Sequence, residues 1–469
     1  MGKYKTLLIN LGLFTLNTVA TRLITFFLVP LYTYFLSQEE YGITDMAQTL
    51  QMVLIPIATL SLSDALLRFA IDDQKHGRKY FTLGTYGVAL SCVVVFALLP
   101  GLDLPIFGGL GDYKLLYWLI YCFGALQTLF SCMARALNQL KLITVASILT
   151  SLITCGSAAI LIALLHWKVE GFLLSMILGY AVGCATYVFG GHLYRYIGSH
   201  LEKSDLALLR RMLIYALPLI PNALFWWVGT SINRFFITGM LGIGASGLFA
   251  AASKIPNLLN TFYSIFQQAW TLSAFQEFRK TDIRSFFSTV FVLLQSLMAV
   301  VASLFILGSQ WVASFMLQKD FYQGWELMPI IILAFYFNAL NSFFGTVFTS
   351  SMKTKALMTS TVAGGLVCIA LTWALIPLYG LWGACIASVC CNAVVLAIRI
   401  MESRAIINVR IPWPSFSITL ILLLVQTVIM SAHKGAYLWI SSALCLAVLV
   451  TQVIGCMPLM RKVTPSLRR

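Results

Sequence analysis

Apolar runs of about twenty residues or more, separated by short polar clusters, follow one another along the whole chain. About 20 mainly apolar residues suffice for a helix to cross the hydrocarbon layer, and there every backbone polar group must be paired within the protein. The pattern therefore predicts transmembrane helices. Cutting at clusters of charge, proline and glycine gives fourteen spans, at 7–36, 42–67, 80–100, 114–134, 142–165, 171–193, 212–240, 245–273, 285–308, 325–350, 356–376, 380–398, 414–431 and 437–459. The first run is too long for the apolar part of a signal peptide and contains Arg22, so it reads as a span.

Composition agrees: of 469 residues, 60% are apolar and only 10% charged, whereas soluble domains carry about a quarter charged residues. A net charge of +15 would point to nucleic acid in a soluble protein, but here its placement explains it. With the N-terminus inside, 24 of the 31 lysines and arginines fall in cytoplasmic tails and loops. The external loops hold Lys114, Lys168, Lys319 and Lys434, and Arg22, Arg234 and Lys254 lie inside spans. The basic excess is thus a topology signal, expected of a multi-pass membrane protein with both termini in the cytoplasm, and no nucleic-acid partner is called for. The eleven cysteines and five histidines are dispersed without metal-ligand spacing, so no metal site is expected.

The longest polar interruption, 195–211, separates six spans from eight and reads as a cytoplasmic amphipathic linker. Weak internal similarity marks two related halves: VEG at Val169 to Gly171 parallels LYG at Leu378 to Gly380, and Tyr41–Gly42 parallels Ser246–Gly247 at nearly the same offset. The expected organisation is an N-terminal six-helix lobe (1–194), the linker, a second six-helix lobe (212–404), and spans thirteen and fourteen with a tail (405–469). The expected fold class is all-α integral membrane, two pseudo-symmetric bundles around a central cavity that opens to alternate sides.

Three intramembrane cations cost on the order of 8–10 kcal/mol before compensation. Asp64 is the acid the cuts place well inside a span. Arg22, Arg234 and Lys254 either line an electropositive cavity for an anionic, phosphate-like group or are structural. Arg22 lies about fifteen residues, roughly 22 Å, from the inner end of its span, too deep to snorkel, whereas Arg234 and Lys254 could snorkel outward. Asp64 could bind a coupling H+ or Na+, or pair with Arg68 one turn on. Amides on the same spans, Asn17, Gln48, Gln51, Asn233, Asn257 and Asn260, suit sugar hydroxyls or helix-to-helix glue. Pro30, Pro56, Pro218, Pro221 and Pro256 bend the spans that carry these charges. Gly179 and Gly183 form a GxxxG, read as helix packing. Gly242, Gly244 and Gly247 satisfy G-x-G-x-x-G but follow a membrane helix and not a strand, and no Walker A motif is present, so no nucleotide cofactor is expected.

The stretch TRLITFFLVPLYTYFLSQEEYGITDMAQTL from Thr21, IPIATLSLSDALLRFAIDD from Ile55 and LIPNALFWWVGTSINRFFITGMLGIGASGLFAAASKIPNLL from Leu219 together resemble bacterial polysaccharide-unit flippases of the Wzx type. The resemblance implies two six-helix bundles that carry an undecaprenyl-pyrophosphate-linked oligosaccharide between leaflets for capsule, O-antigen or exopolysaccharide assembly. Intramembrane basic residues would hold the phosphates, with Arg22, Arg234 and Lys254 the suitable positions here. A polysaccharide polymerase and a chain-length regulator are partners of such a protein. Related lipid II flippases share the bundle, and their spans thirteen and fourteen help form a groove for the lipid tail. Ion-driven exporters of the same superfamily often carry an acid in span one, which this chain lacks. A membrane-embedded glycosyltransferase would need catalytic acids or a sizeable loop domain, and the external loops here are short.

Overall fold

A computed structural model describes residues 26–196, 198, 203–278, 283–351 and 353–463. Every described element is helical, and eleven helices are long and apolar enough to cross a membrane, or twelve if one bent pair is a single span. Eleven of those match expected segments among the fourteen, and the twelfth, Asp205–Phe225, overlaps the first half of the seventh (212–240) and reaches back into the expected linker. The remaining two are the first, of which only the helix α1 (Phe26–Phe35) is described, and the eighth, which is broken.

The chain forms two compact units, Met1–Leu248 and Phe249–Arg469. In the first, α2 (Gln38–Ala58) begins with a capping box: Glu40 N donates to Ser37 Oγ at 3.2 Å and Ser37 N to Glu40 Oε2 at 2.8 Å. Two orphan N–H groups of the helix end are thereby satisfied. Near the other end Pro56 is followed by Leu60 and Ser61 in left-handed conformation, and α3 (Leu62–Asp72) departs at 55°. The second expected span is therefore a bent pair, as a proline near a helix end favours.

The next helices are α4 (Gly77–Leu98), α5 (Lys114–Ala136), α6 (Leu140–Ala158) and α7 (Lys168–Ala185), the last two prolonged by short π-helical turns. A Cβ at Gly179 would overlap Thr154 Oγ1, so the GxxxG of α7 does pack closely on α6. The linker helix α8 (Lys203–Ala216) docks on this unit: Met212 and Ala216 are fully buried, and Asp205 pairs with Lys79 at 3.0 Å. It ends at Leu217–Pro218, and α9 (Leu219–Leu241) and α10 (Ile243–Lys254) follow. The boundary between the units thus falls inside α10, whereas the boundary expected from the longest polar interruption, 195–211, lies within the first unit.

In the second unit the chain breaks at 255–257, around Pro256, before α11 (Leu258–Glu277). Then come α12 (Ile283–Met316), α13 (Met328–Ser350), α14 (Thr354–Tyr379), α15 (Leu381–Ser403), α16 (Trp413–Ala432) and α17 (Tyr437–Val463). The last two, spans thirteen and fourteen, are fastened to α12 by two buried glutamines. Gln426 accepts from Ser303 Oγ at 2.7 Å and donates to Ser441 Oγ at 3.2 Å, while Gln452 accepts from Ser296 Oγ at 2.8 Å and donates to Thr419 Oγ1 at 2.6 Å. Such bonds are worth about 0.6–2 kcal/mol each where no water competes. The outward faces are bare hydrocarbon: Ile418, Ile421 and Val428 on α16, and Leu90, Val93 and Phe96 on α4, are exposed. Lipid is the solvent that suits them.

Replacing Gln426 with leucine strands the Ser303 and Ser441 hydroxyls. The purified Gln426→Leu protein should lose about 1–2 kcal/mol of stability, seen as a lower detergent melting temperature and earlier proteolysis between α15 and α17. An unchanged melting temperature would show that these bonds fasten nothing.

Candidate functional site: the charged seam along α2

Asp45 lies two turns into α2 and is 4% exposed. Its Oδ2 is 2.6 Å from Nε of Arg234, on α9, whose side chain is only 18% exposed. Neither charge could be left alone there, because an unpaired ion in a low-dielectric interior costs several kcal/mol. Asp45 was not singled out in the sequence, because a span started at residue 42 leaves it near a helix end. The capping box starts the helix at Gln38 instead and carries Asp45 inward.

A seam of contacts runs to either side of this pair. Toward the middle of α2, Trp227 Nε1 donates to the carbonyl of Thr49 at 3.0 Å. Toward its start, a Cβ at Gly247 would overlap the carbonyl oxygen of Gln38, and one at Gly42 would overlap that of Ile243, so glycine at both positions lets the starts of α2 and α10 touch. The seam from Gln38 to Thr49 is about 16 Å long. The 3-10 turn Pro105–Phe107 closes over it, with Phe107 edge-on to Phe235 at 6.1 Å and Ile243 packed against Gly108. The two pairs that the sequence relates by repetition, Tyr41–Gly42 and Ser246–Gly247, therefore meet each other. Gly247 acts as a close-packing residue within the G-x-G-x-x-G, while Gly242 ends α9 at a positive φ of 92°.

The other expected site residues are distributed as follows. Asn17 and Arg22 lie outside the described residues. Asn233 is buried beside Arg234 in the first unit. Gln51 is committed to the protein: its Nε2 donates to Ile120 O at 3.1 Å and its Oε1 accepts from Tyr180 at 3.5 Å, joining α2 to α5 and α7. Gln48 is half-buried and makes no hydrogen bond to a described residue. Lys254 belongs to the second unit, half-buried at the end of α10, and Asn260 donates to Asn257 at 3.0 Å across the break that follows. Asp64 is exposed, and Arg68 pairs with Asp72 at 3.2 Å and not with Asp64. Both acids are one turn from Arg68, on opposite sides, and the pair forms toward the helix end. No group of histidine, cysteine, aspartate and glutamate residues able to hold a metal occurs among the described residues.

One further buried cation was counted among loop charges. Arg399 is 8% exposed inside α15, which runs five residues beyond the expected end of that span. Its guanidinium donates to Asn341 O at 2.7 Å, Ser360 Oγ at 3.1 Å and Thr361 Oγ1 at 3.1 Å, tying α15 to α13 and α14. These three acceptors are neutral, so the arginine is held by hydrogen bonds in fork geometry.

The sequence profile of the family described as "Polysaccharide biosynthesis protein" matches residues 7–271, more than half of the chain. The chain belongs to the polysaccharide biosynthesis protein family. No curated protein matches it in sequence. Among solved structures, the lipid II flippase MurJ in an inward closed conformation aligns with a TM-score of 0.72 over 96% of this chain and 99% of that one, at 13% identity. An inward-facing multidrug resistance MATE transporter of the MOP superfamily aligns with a TM-score of 0.63, 13% identity, and 84% and 95% coverage. A MOP transporter from Pyrococcus furiosus, whose structure is described as having a binding pocket of reverse polarity, aligns with a TM-score of 0.59, 13% identity, and 85% and 96% coverage. This family member thus has the transporter fold common to lipid flippases and multidrug exporters.

The charged pair makes a direct prediction for stability. Asp45→Asn and Arg234→Gln should each destabilise the purified protein, and a double-mutant cycle on melting in detergent should return a coupling of about 2 kcal/mol. The exchanged pair, Asp45→Arg with Arg234→Asp, should recover part of the loss. Purely additive single effects would rule out the tie.

Proposed function

We propose that this protein flips an undecaprenyl-pyrophosphate-linked oligosaccharide from the inner to the outer leaflet of a bacterial cytoplasmic membrane, by alternating access, for capsule, O-antigen or exopolysaccharide assembly. The observation that carries the reading is the match of 7–271 to a polysaccharide biosynthesis family on a chain whose fold is shared with a lipid II flippase. The basic loops are taken as cytoplasmic, with both termini on that side. A polysaccharide polymerase and a chain-length regulator would act on the delivered unit. The step carries no nucleotide engine, so its direction comes from an H+ or Na+ gradient, with Asp64 a candidate carrier, or from consumption of the product outside.

In this reading Arg22, Arg234 and Lys254 supply the cations for the pyrophosphate, and Asn17, Gln48, Asn233, Asn257 and Asn260 are the candidate sugar contacts, whereas Gln51 is held by Ile120 and Tyr180. Arg234 is available only in part of the cycle, because Asp45 neutralises it while the seam is closed. A pyrophosphate carries more charge than one carboxylate and can take bidentate contacts from arginine. Exchange of Asp45 for phosphate on Arg234 would therefore link substrate binding to release of the seam. Lipid II flipping and ion-driven export of a small molecule are the alternatives. A cation exporter would want unspent acids, and Asp45 is held by Arg234.

Deletion of the gene in a host with intact upstream glycosyltransferases should cause complete lipid-linked repeat units to accumulate on the cytoplasmic side, read by mass spectrometry. Wild type should clear them and Arg22→Ala should not. An unchanged lipid-linked pool together with loss of a small exported molecule would replace the flippase by an exporter.

A further inference from the structure

The last turn of α15 and the connector to α16 form a hydrogen-bonded frame around the side chain of Arg404. All four terminal carbonyls of α15 are taken: Ile400 O by Ser403 Oγ, Met401 O by Arg404 N, Glu402 O by Ala405 N, and Ser403 O by Ile406 N and Ile407 N. The connector is pinned by buried Ile407 and Val409, by Arg284 Nε donating to Asn408 O at 2.7 Å, and by Arg410 N donating to Ser288 Oγ at 2.8 Å. Between helix end and connector lies a cleft of about 150 Å³. Its lining combines the polar Ser403, Arg404 and Asn408 with apolar residues that include Phe344, Ile400 and Trp413.

The side chain of Arg404 makes no hydrogen bond or ion pair with any described residue. It is not needed as a helix cap, because the carbonyls it could reach are satisfied. The one carboxylate between residues 399 and 413, Glu402, lies within electrostatic reach of buried Arg399, and Arg284 and Arg410 flank the connector. The field in the cleft is therefore positive. Trp413, also in the cleft lining, is 47% exposed at the start of α16, where an indole suits the boundary between head groups and hydrocarbon. A small anion would use only the polar lining residues, and a hydrocarbon chain only the apolar ones.

We propose that this cleft binds the phosphate of a lipid, with Arg404 and Asn408 on the phosphate oxygens and Trp413 and Ile400 against the first carbons of the chain. Its occupancy requires only that residues 403–413 lie at a membrane surface, and is independent of what the protein transports. The phosphate could belong to a bilayer phospholipid or to a polyprenyl carrier, which share this chemistry.

Native mass spectrometry of the full-length protein in detergent separates the two sources. Phosphatidylglycerol and undecaprenyl phosphate are each titrated into wild type, Arg404→Gln, Arg404→Lys and, as a control on another basic connector, Lys353→Gln. Arg404→Gln should weaken retention of at least one lipid about five- to tenfold, Arg404→Lys less, and Lys353→Gln not at all. Loss confined to phosphatidylglycerol assigns the cleft to a bilayer lipid, and loss confined to undecaprenyl phosphate assigns it to the carrier. Retention of both lipids by Arg404→Gln at the wild-type level, or equal loss in Lys353→Gln, overturns the proposal.

Discussion

A charge or amide placed in hydrocarbon has to find its partner inside the protein, and that requirement organises this structure more than apolar packing does. Leucine on one helix gains little by leaving lipid for another leucine, so association among helices rests on fit and on satisfied polar groups. The four principal junctions obey this rule. Asp45 meets Arg234, Gln51 meets Ile120 and Tyr180, Arg399 meets Asn341, Ser360 and Thr361, and Gln426 and Gln452 meet the serines of α12. Each partnership fixes the rotation of a helix about its own axis, which apolar surface alone leaves free.

The junction along α2 differs from the others in where its partners come from. The repeat expected from the sequence would put α2 in the first half and α9 and α10 in the second, yet they pack so closely that α9 belongs to the first compact unit. Arg399 and the two glutamines fasten helices within the second unit, and nothing in the proposed cycle asks them to part. A contact between repeat halves is the one that alternating access would have to break. A pair of opposite charges suits that duty, because an anionic substrate can replace the carboxylate, whereas a purely hydrophobic seam would offer such a substrate no exchange.

Much of this was legible in the sequence. Most spans followed from hydropathy, fourteen expected against eleven, or twelve with the bent pair, among the described residues, and the breaks near Pro56, Pro218 and Pro256 fall at prolines read as bends, since these depend on local composition. Helix rotation did not, because a net hydrophobic run has no unique inward face. That is why Arg399 was read as a loop charge and Asp45 as a helix-end acid. One signal could have corrected the latter: Ser37 and Glu40 form an S-x-x-E capping box that starts α2 at Gln38, four residues before the apolar run was taken to begin. The Arg68 pairing was ambiguous in principle, since Asp64 and Asp72 stand at equal spacing on either side. For Arg399 no comparable sequence mark exists, because its acceptors are a carbonyl and two hydroxyls on other helices.

The central claim is that the seam between α2 and α9 parts during transport. The direct test replaces Asp45 and Arg234 with cysteine in a background lacking the native cysteines, and joins them with a reducible bifunctional thiosulfonate in proteoliposomes that contain lipid-linked oligosaccharide. Flipping should be blocked in the joined protein and restored when the link is reduced, with the unjoined double variant as reference. Flipping at the same rate whether joined or reduced would contradict the account and leave the Asp45–Arg234 pair as a fixed structural tie.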